Sequence, residues 1–204
     1  MKQIKTVLLA VSALLFGAIF PSDCQAQQVA LKTNLLYDAS TTPNLGLEVG
    51  VGRKHSMQVF YGLNPFKFGH NDVATPDVDE RKYLKHWIVN PEYRYWFCHR
   101  FNGSFVGVHA FGGEFSASNI KMPLGWWKEL RDHHFEGWYI GGGISYGYQW
   151  VISQHFNFEA AIGLGAAYIN YEKFKCANCK SKEGSGDKTY VGPTKAALSL
   201  VYMF

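Results

Sequence analysis

The chain has 204 residues, 47% of them hydrophobic and 16% aromatic, with 18% charged and a formal net charge of +4. That is too apolar for a disordered chain, and so slight a positive excess gives neither a nucleic-acid footprint nor a polybasic membrane patch. The length fits one domain.

Lys2 and Lys5 precede an apolar run from Val7 to Phe20, and Cys24 and Ala26 supply a small-x-small site before Gln27. This order predicts a cleaved signal peptide over 1–26 and a mature domain over 27–204. The run is about 14 residues, short of the ~20 that cross a bilayer as a helix. Pro21-Ser22-Asp23 ahead of Cys24 is not a lipobox. Downstream, no apolar run reaches transmembrane-helix length. In a membrane this chain therefore has to be a barrel, because every backbone polar group must pair within the protein.

Eight segments then alternate with the period of a strand. The first, Val29 to Asp38, sets Val29, Leu31, Thr33, Leu35 and Tyr37 against Lys32 and Asn34. The second, Asn44 to Arg53, sets Leu45, Leu47, Val49 and Val51 against Gly46, Glu48, Gly50 and Gly52. The third, Met57 to Asn64, has Met57, Val59, Tyr61 and Leu63 in phase. In the fourth, Tyr83 to Phe97, Trp87, Val89, Tyr93 and Tyr95 oppose His86, Asn90, Glu92 and Arg94. The fifth, Ser104 to Phe115, leaves two phases open: Val106, Val108 and Ala110, or Phe105, Phe111 and Phe115. The sixth, Trp138 to Trp150, opposes aromatic and aliphatic residues to Gly141, Gly143, Ser145 and Gln149. The seventh, Phe156 to Tyr168, opposes them to Asn157, Glu159 and Gly163. In the eighth, Tyr190, Gly192, Thr194, Ala196, Leu198, Leu200, Tyr202 and Phe204 share one face.

The connections Arg53–Ser56, Cys98–Gly103 and Val151–His155 are short. Pro65–Lys82, Ser116–Glu136 and Glu172–Lys188 are long and polar. The expected fold is all-β: an eight-stranded antiparallel up-and-down transmembrane β-barrel with short periplasmic turns and longer extracellular loops. Aromatic residues bracket the apolar faces as Tyr83 and Tyr95, Trp138 and Trp150, Phe156 and Tyr168, Tyr190 and Tyr202. About twelve residues at ~3.3 Å each, tilted about 45°, give ~28 Å along the membrane normal, close to the ~25 Å band between aromatic girdles. A soluble barrel would have to pack these rings into an interior that holds only side chains or one small ligand.

In that orientation Lys32, Glu48, Glu92, Arg94, Glu159 and Lys195 enter the lumen, three bases and three acids. Buried charges survive when paired, so an ion-pair network is expected to fill it; the alternative use is an ion or proton path. The facing of His109 follows the unsettled fifth segment.

Cys176 and Cys179 form a CxxC in a Lys/Gly/Ser loop, where a loop disulfide of an oxidising compartment suits better than a redox helix start or a zinc site. Cys98 has no obvious mate. Asp132, His133, His134 and Glu136 read as polar loop filling rather than a cation site. Asn102-Gly103 reads as a hairpin turn. Gly141-Gly142-Gly143 is no dinucleotide fingerprint, since Tyr146 stands at the third glycine position. His70, Asp72, Ser118 and His133 could be gathered at a rim, as in barrel enzymes, but no spacing selects them. No catalytic residue, cofactor or metal site is expected.

The segments 32–38 (KTNLLYD), 43–48 (PNLGLE), 91–97 (PEYRYWF), 145–148 (SYGY) and 192–195 (GPTK) together resemble domain-of-unknown-function family 3575. These are small exported barrels of Gram-negative anaerobes, and the match spans the mature chain. The resemblance implies an outer-membrane barrel of the OmpA-like superfamily and an association with surface-fimbria or adhesin components. It brings no activity. By similarity to such barrels, Phe204 with Tyr202 is expected to signal to the barrel insertion machinery. The expected function is a non-enzymatic structural or surface-binding role among outer-membrane lipid. Its rivals are a rim-active enzyme, of lipid acyltransferase or protease type, and a narrow channel.

Overall fold

The computed structural model describes residues 29–65, 83–118, 134–174 and 182–204. The predicted signal peptide and Cys176, Cys179, His70, Asp72, Asp132 and His133 lie outside the described residues. Strands β1 (Val29–Asn34), β2 (Asn44–Gly50), β3 (His55–Asn64), β4 (Tyr83–Trp96), β5 (Gly103–Ser118), β6 (His134–Val151), β7 (Phe156–Phe174) and β8 (Lys182–Met203) follow in order. One short helix, α1 (Leu35–Ala39), interrupts them. Each strand pairs antiparallel with its neighbour in sequence, and β8 pairs with β1 to close the ring.

The ring's stagger can be read from its register. Ala30 pairs with Glu48, Glu48 with Gln58, Gln58 with Glu92 and Glu92 with His109. His109 pairs with Gly143, Gly143 with Gly165 and Gly165 with Gly192. Yet the β8 residue that pairs with Ala30 is Met203. Allowing for one bulged residue on β8, the displacement is about ten residues, or ~33 Å along a strand, against ~38 Å for eight strand spacings of ~4.8 Å. The strands therefore tilt about 40° from the barrel axis, within the range that closed barrels adopt.

Alternation decides what each face meets. Leu47, Met57, Val59, Tyr93, Val108, Ile144, Tyr146, Ile162, Leu164 and Leu200 all stand exposed on the outside. Charged and amide side chains fill the inside. The wall is inverted relative to a water-soluble protein, and an exposed apolar belt of this extent is the signature of a surface that meets hydrocarbon. The fifth strand's phase is settled: Val106 and Val108 face out, while Phe105, His109 and Phe111 are buried within.

Three expectations need correction. The first segment is not a strand to Asp38: it stops at Asn34, whose side chain caps α1 by accepting from Leu36 N at 3.2 Å. The strands β5 to β8 run well into the expected long loops, where Ser116, Glu136, Glu172 and Ser185 sit in one paired row. The eighth strand is not one uninterrupted alternation. Gly163 pairs with Lys195 but Leu164 pairs with Pro193, so Thr194 is bulged out. Beyond it the phase reverses, with Pro193 and Val191 outward, while Tyr190 turns in to pack with Ile88, Phe111 and Ala167.

Candidate functional site

The interior has three levels. At the short-turn end, Trp96, Phe101, Phe105, Val201 and Met203 make an apolar plug. Trp96 lies 4.8 Å from Phe105 and 5.8 Å from Phe101, centroid to centroid. Phe101 holds the left-handed region (φ 62°), rare for a bulky residue, in the β4–β5 turn. The strain, of order 1–3 kcal/mol, is held by its burial and by Asn157 Nδ2, which donates to the Phe101 carbonyl at 3.3 Å. The expected Asn102-Gly103 turn is thus a wider loop that folds a ring into the mouth; Gly103 supplies its positive φ of 85°.

Above the plug lies the charge layer. Arg94, fully buried, donates through Nε to Glu92 Oε2 at 2.7 Å and through Nη1 to Glu48 Oε2 at 2.9 Å. It also holds both oxygens of Glu159, at 2.8 and 3.0 Å. Its guanidinium stacks 4.3 Å over the Phe105 ring. Lys32 bridges Glu48 and Glu159, and Lys195 pairs with Glu92. The remaining carboxylate oxygens accept from hydroxyls: Ser56 on Glu48 and Ser145 on Glu92. Trp96 Nε1 in turn donates to Ser56 Oγ at 2.8 Å. Three bases and three acids, brought from five strands, form one neutral, hydrogen-bonded cluster. Such a cluster is tolerable in a low-dielectric interior because each charge has its counter-charge and its lone pairs are used.

At the long-connection end, Ile88, Phe111 and Ala167 pack with Tyr37, Phe60, Tyr139 and Tyr190. Tyr37, carried inward by α1, meets Phe60 edge-on at 5.2 Å. Between this cluster and the charge layer lies a cavity of about 360 Å³, reached from the α1–β8 side. A second, shallower cleft of about 660 Å³ opens at the rim, among Asn64, His86, Glu114, Ser116, Glu136 and Glu172.

The structure brings all six expected lumen charges, Lys32, Glu48, Glu92, Arg94, Glu159 and Lys195, into contact as one cluster. His109 joins them from the wall, its Nε2 2.9 Å from Thr194 Oγ1 on the bulge. Of the aromatic girdle, Tyr95, Trp138, Trp150, Phe156, Tyr168 and Tyr202 stand outward. Trp138 packs on Tyr168 at 5.8 Å, and Phe156 on Tyr202 at 5.3 Å. Tyr83 starts β4, and only its backbone is described. Tyr190 does not belong to the girdle: the Thr194 bulge carries it inside. Phe204 is exposed, meets Tyr202 edge-on at 5.0 Å and donates its N–H to Val29 O at 3.0 Å. His134 opens β6, and Cys98 is an exposed free thiol beside the β4–β5 turn. Among the described residues no group of His, Cys, Asp or Glu converges to hold a metal.

Sequence reasoning missed the Thr194 bulge, the α1 cap and the Phe101 plug. The first two had a signal: Pro193 within a strand, and Asn34 ahead of a Leu-Leu pair at a helix start.

No curated protein matches the sequence. Among solved structures, the N-terminal β-barrel domain of Pseudomonas aeruginosa OprF is 13% identical, with 87% of this chain and 97% of that chain covered at a TM-score of 0.35. Residues 10–204 match the family model described as "Protein of unknown function (DUF3575)", and the chain belongs to that family.

Proposed function

We propose that the protein is a non-enzymatic barrel of the outer membrane, exported by a cleaved signal over 1–26, with a structural or surface-binding role. The observation that supports this is the inverted wall. An apolar belt rimmed by Trp and Tyr surrounds a lumen whose charges neutralise one another. The filled lumen disfavours the channel reading, because a permeating ion would have to displace Arg94 from four hydrogen bonds at once. The family resemblance adds the role. The long connections on the outer side present a surface for fimbria or adhesin components, with the rim cleft as its concave part.

The tests are direct. The protein should fractionate with the outer membrane and migrate differently on gels with and without boiling. In planar bilayers it should give no steady open current. A soluble periplasmic protein would end the membrane reading, and a steady current would end the filled-lumen reading. For the role, a deletion strain should lose or mislocalise its surface fimbriae, and cross-linking from the outer loops should capture a fimbrial or adhesin subunit. Unchanged fimbriation would count against it.

A further inference from the structure

The wall of the barrel is incomplete between α1 and β8. Strand β1 ends at Asn34, opposite Ser199, while β8 continues. The Asn34 carboxamide replaces the missing strand for one step: its Oδ1 accepts from Leu198 N at 3.1 Å and its Nδ2 donates to Ala196 O at 3.2 Å. Beyond Ala196, through Pro193, no strand of the described residues flanks β8 on this side. A bare strand edge in hydrocarbon would leave polar groups that cost several kcal/mol each. Here the edge is blunted. Pro193 has no N–H, and its carbonyl accepts from Tyr190 Oη at 3.2 Å. The adjacent Thr194 bulge bends the strand. These features also argue against an added β-strand as the occupant.

The opening leads inward. The 360 Å³ cavity is lined on one side by Leu36 and Tyr37 of α1 and its C-cap Ser40, and on the other by Pro193 to Ala197 of β8. Pro193 and Ala196 face out while Lys195 and Ala197 face in, so the cavity passes through the wall rather than lying beneath it. Its lining includes Gln58 and Asn90, both more than nine-tenths buried. Gln58 Oε1 and Asn90 Oδ1 have no hydrogen-bond partner among the described residues. The depth is set by the girdle. Pro193 lies nine residues beyond Tyr202, about 23 Å along the barrel axis at ~3.3 Å per residue and a 40° tilt. Thr189, which pairs with outward Tyr168, lies beyond it. The slot therefore opens within the upper half of the apolar belt.

We propose that this slot is a lateral portal that admits an uncharged, hydroxyl-bearing single-chain amphiphile from the outer leaflet. Its chain lies against Leu36, Pro193 and Ala196, and its hydroxyls donate to Gln58 and Asn90. The charge layer below is internally neutral, which disfavours a charged head. The volume is that of about a dozen waters at ~30 Å³ each, enough for a glycerol-sized head and too small for a two-chain lipid.

The proposal rests on the membrane reading, and the experiment separates the two. The mature chain is refolded into phosphatidylcholine vesicles containing a monoacylglycerol with a diazirine near its ester. After photolysis, adducts are mapped by mass spectrometry. Adducts are expected on the rim of the belt at Trp138 and Tyr168, and also on Tyr37, Gln58 and Ala197. Ala196→Trp, which covers the outer opening of the slot, and Asn90→Leu, which removes its polar contact, should each cut the inner adducts about tenfold, a 1.4 kcal/mol effect, with the belt adducts unchanged. The gel-mobility shift on boiling shows which variants have folded. Belt adducts without inner ones, or inner adducts indifferent to both substitutions, would overturn the portal. Absence of belt adducts would overturn the membrane reading itself.

Discussion

Arg94→Met is the sharpest perturbation of the charge layer. Methionine keeps most of the aliphatic stem and loses the guanidinium that stacks on Phe105, so the change removes charge and hydrogen bonds more than volume. Four charge-assisted bonds that Arg94 donates vanish: one to Glu92, one to Glu48 and two to Glu159. Three buried carboxylates then face only Lys32 and Lys195. Removing one partner of a buried ion pair costs about 3–5 kcal/mol because the other charge is left uncompensated. That is a shift of about two to three and a half decades in the unfolding equilibrium. Urea titration of the refolded protein in vesicles, followed by tryptophan fluorescence, reads the loss as an earlier midpoint with unchanged slope. The double variant Arg94→Met with Glu159→Met restores balance, two bases against two acids, and should recover at least half of the loss. A single-variant cost under about 1 kcal/mol, or a double variant additive within ~0.5 kcal/mol, would refute the idea that mutual neutralisation holds this interior.

The β6–β7 seam makes a second prediction. A Cβ at Gly143 would stand 2.2 Å from the Leu164 carbonyl oxygen, a backbone atom that no rotamer change can move. Gly143→Val should cost at least the upper end of the ~1–3 kcal/mol typical of overpacking and abolish the heat-modifiable form. Gly184→Ala, where an added Cβ meets no atom of the described residues within 4 Å, should change stability by less than about 0.5 kcal/mol. Topology is testable at Cys98, an exposed thiol at the short-turn end. With Cys176→Ser and Cys179→Ser in place, an impermeant maleimide should label permeabilised cells and not intact ones; labelling of intact cells would invert the barrel. Deleting Phe204 removes one backbone bond, to Val29, and leaves the β1–β8 pairing intact. Refolding into vesicles should proceed as before while outer-membrane levels in cells fall. Equal levels in cells would refute a signalling role for the terminal ring.

Strand number, order and facing were legible because alternation is a local property and each wall residue meets only two environments. The six lumen charges could be named for the same reason: a charged residue in phase with glycine and serine has nowhere else to point. The mutual geometry was not legible. That Arg94 would hold all three acids while Lys195 serves Glu92 alone depends on stagger, which shifts every strand by a residue or more against its neighbour and leaves no mark in any one segment. Tyr190 was misplaced because a single extra residue, Thr194, reverses every side chain beyond it. Phe101 was missed because its position follows from a left-handed turn conformation that a bulky residue rarely adopts.

The incomplete wall is the feature that stability alone explains least. Had the first segment continued as a strand through Leu35 and Tyr37, β1 would have covered the β8 edge with regular backbone pairs. Instead the chain turns into a five-residue helix, too short to be stable on its own, and commits three side chains to the resulting gap. Asn34 caps the helix and stands in for a strand residue, Pro193 removes a donor, and Tyr190 satisfies a carbonyl. Each commitment constrains its own position, whereas strand pairing would have left all three free to vary. A seam satisfied by side chains in this way can also separate without breaking a backbone ladder. Opening it costs the two hydrogen bonds of the Asn34 bridge, at about 1 kcal/mol each, while parting β6 from β7 would break a ladder running the length of both strands. If the barrel opens sideways at all, the α1–β8 seam is where it does so.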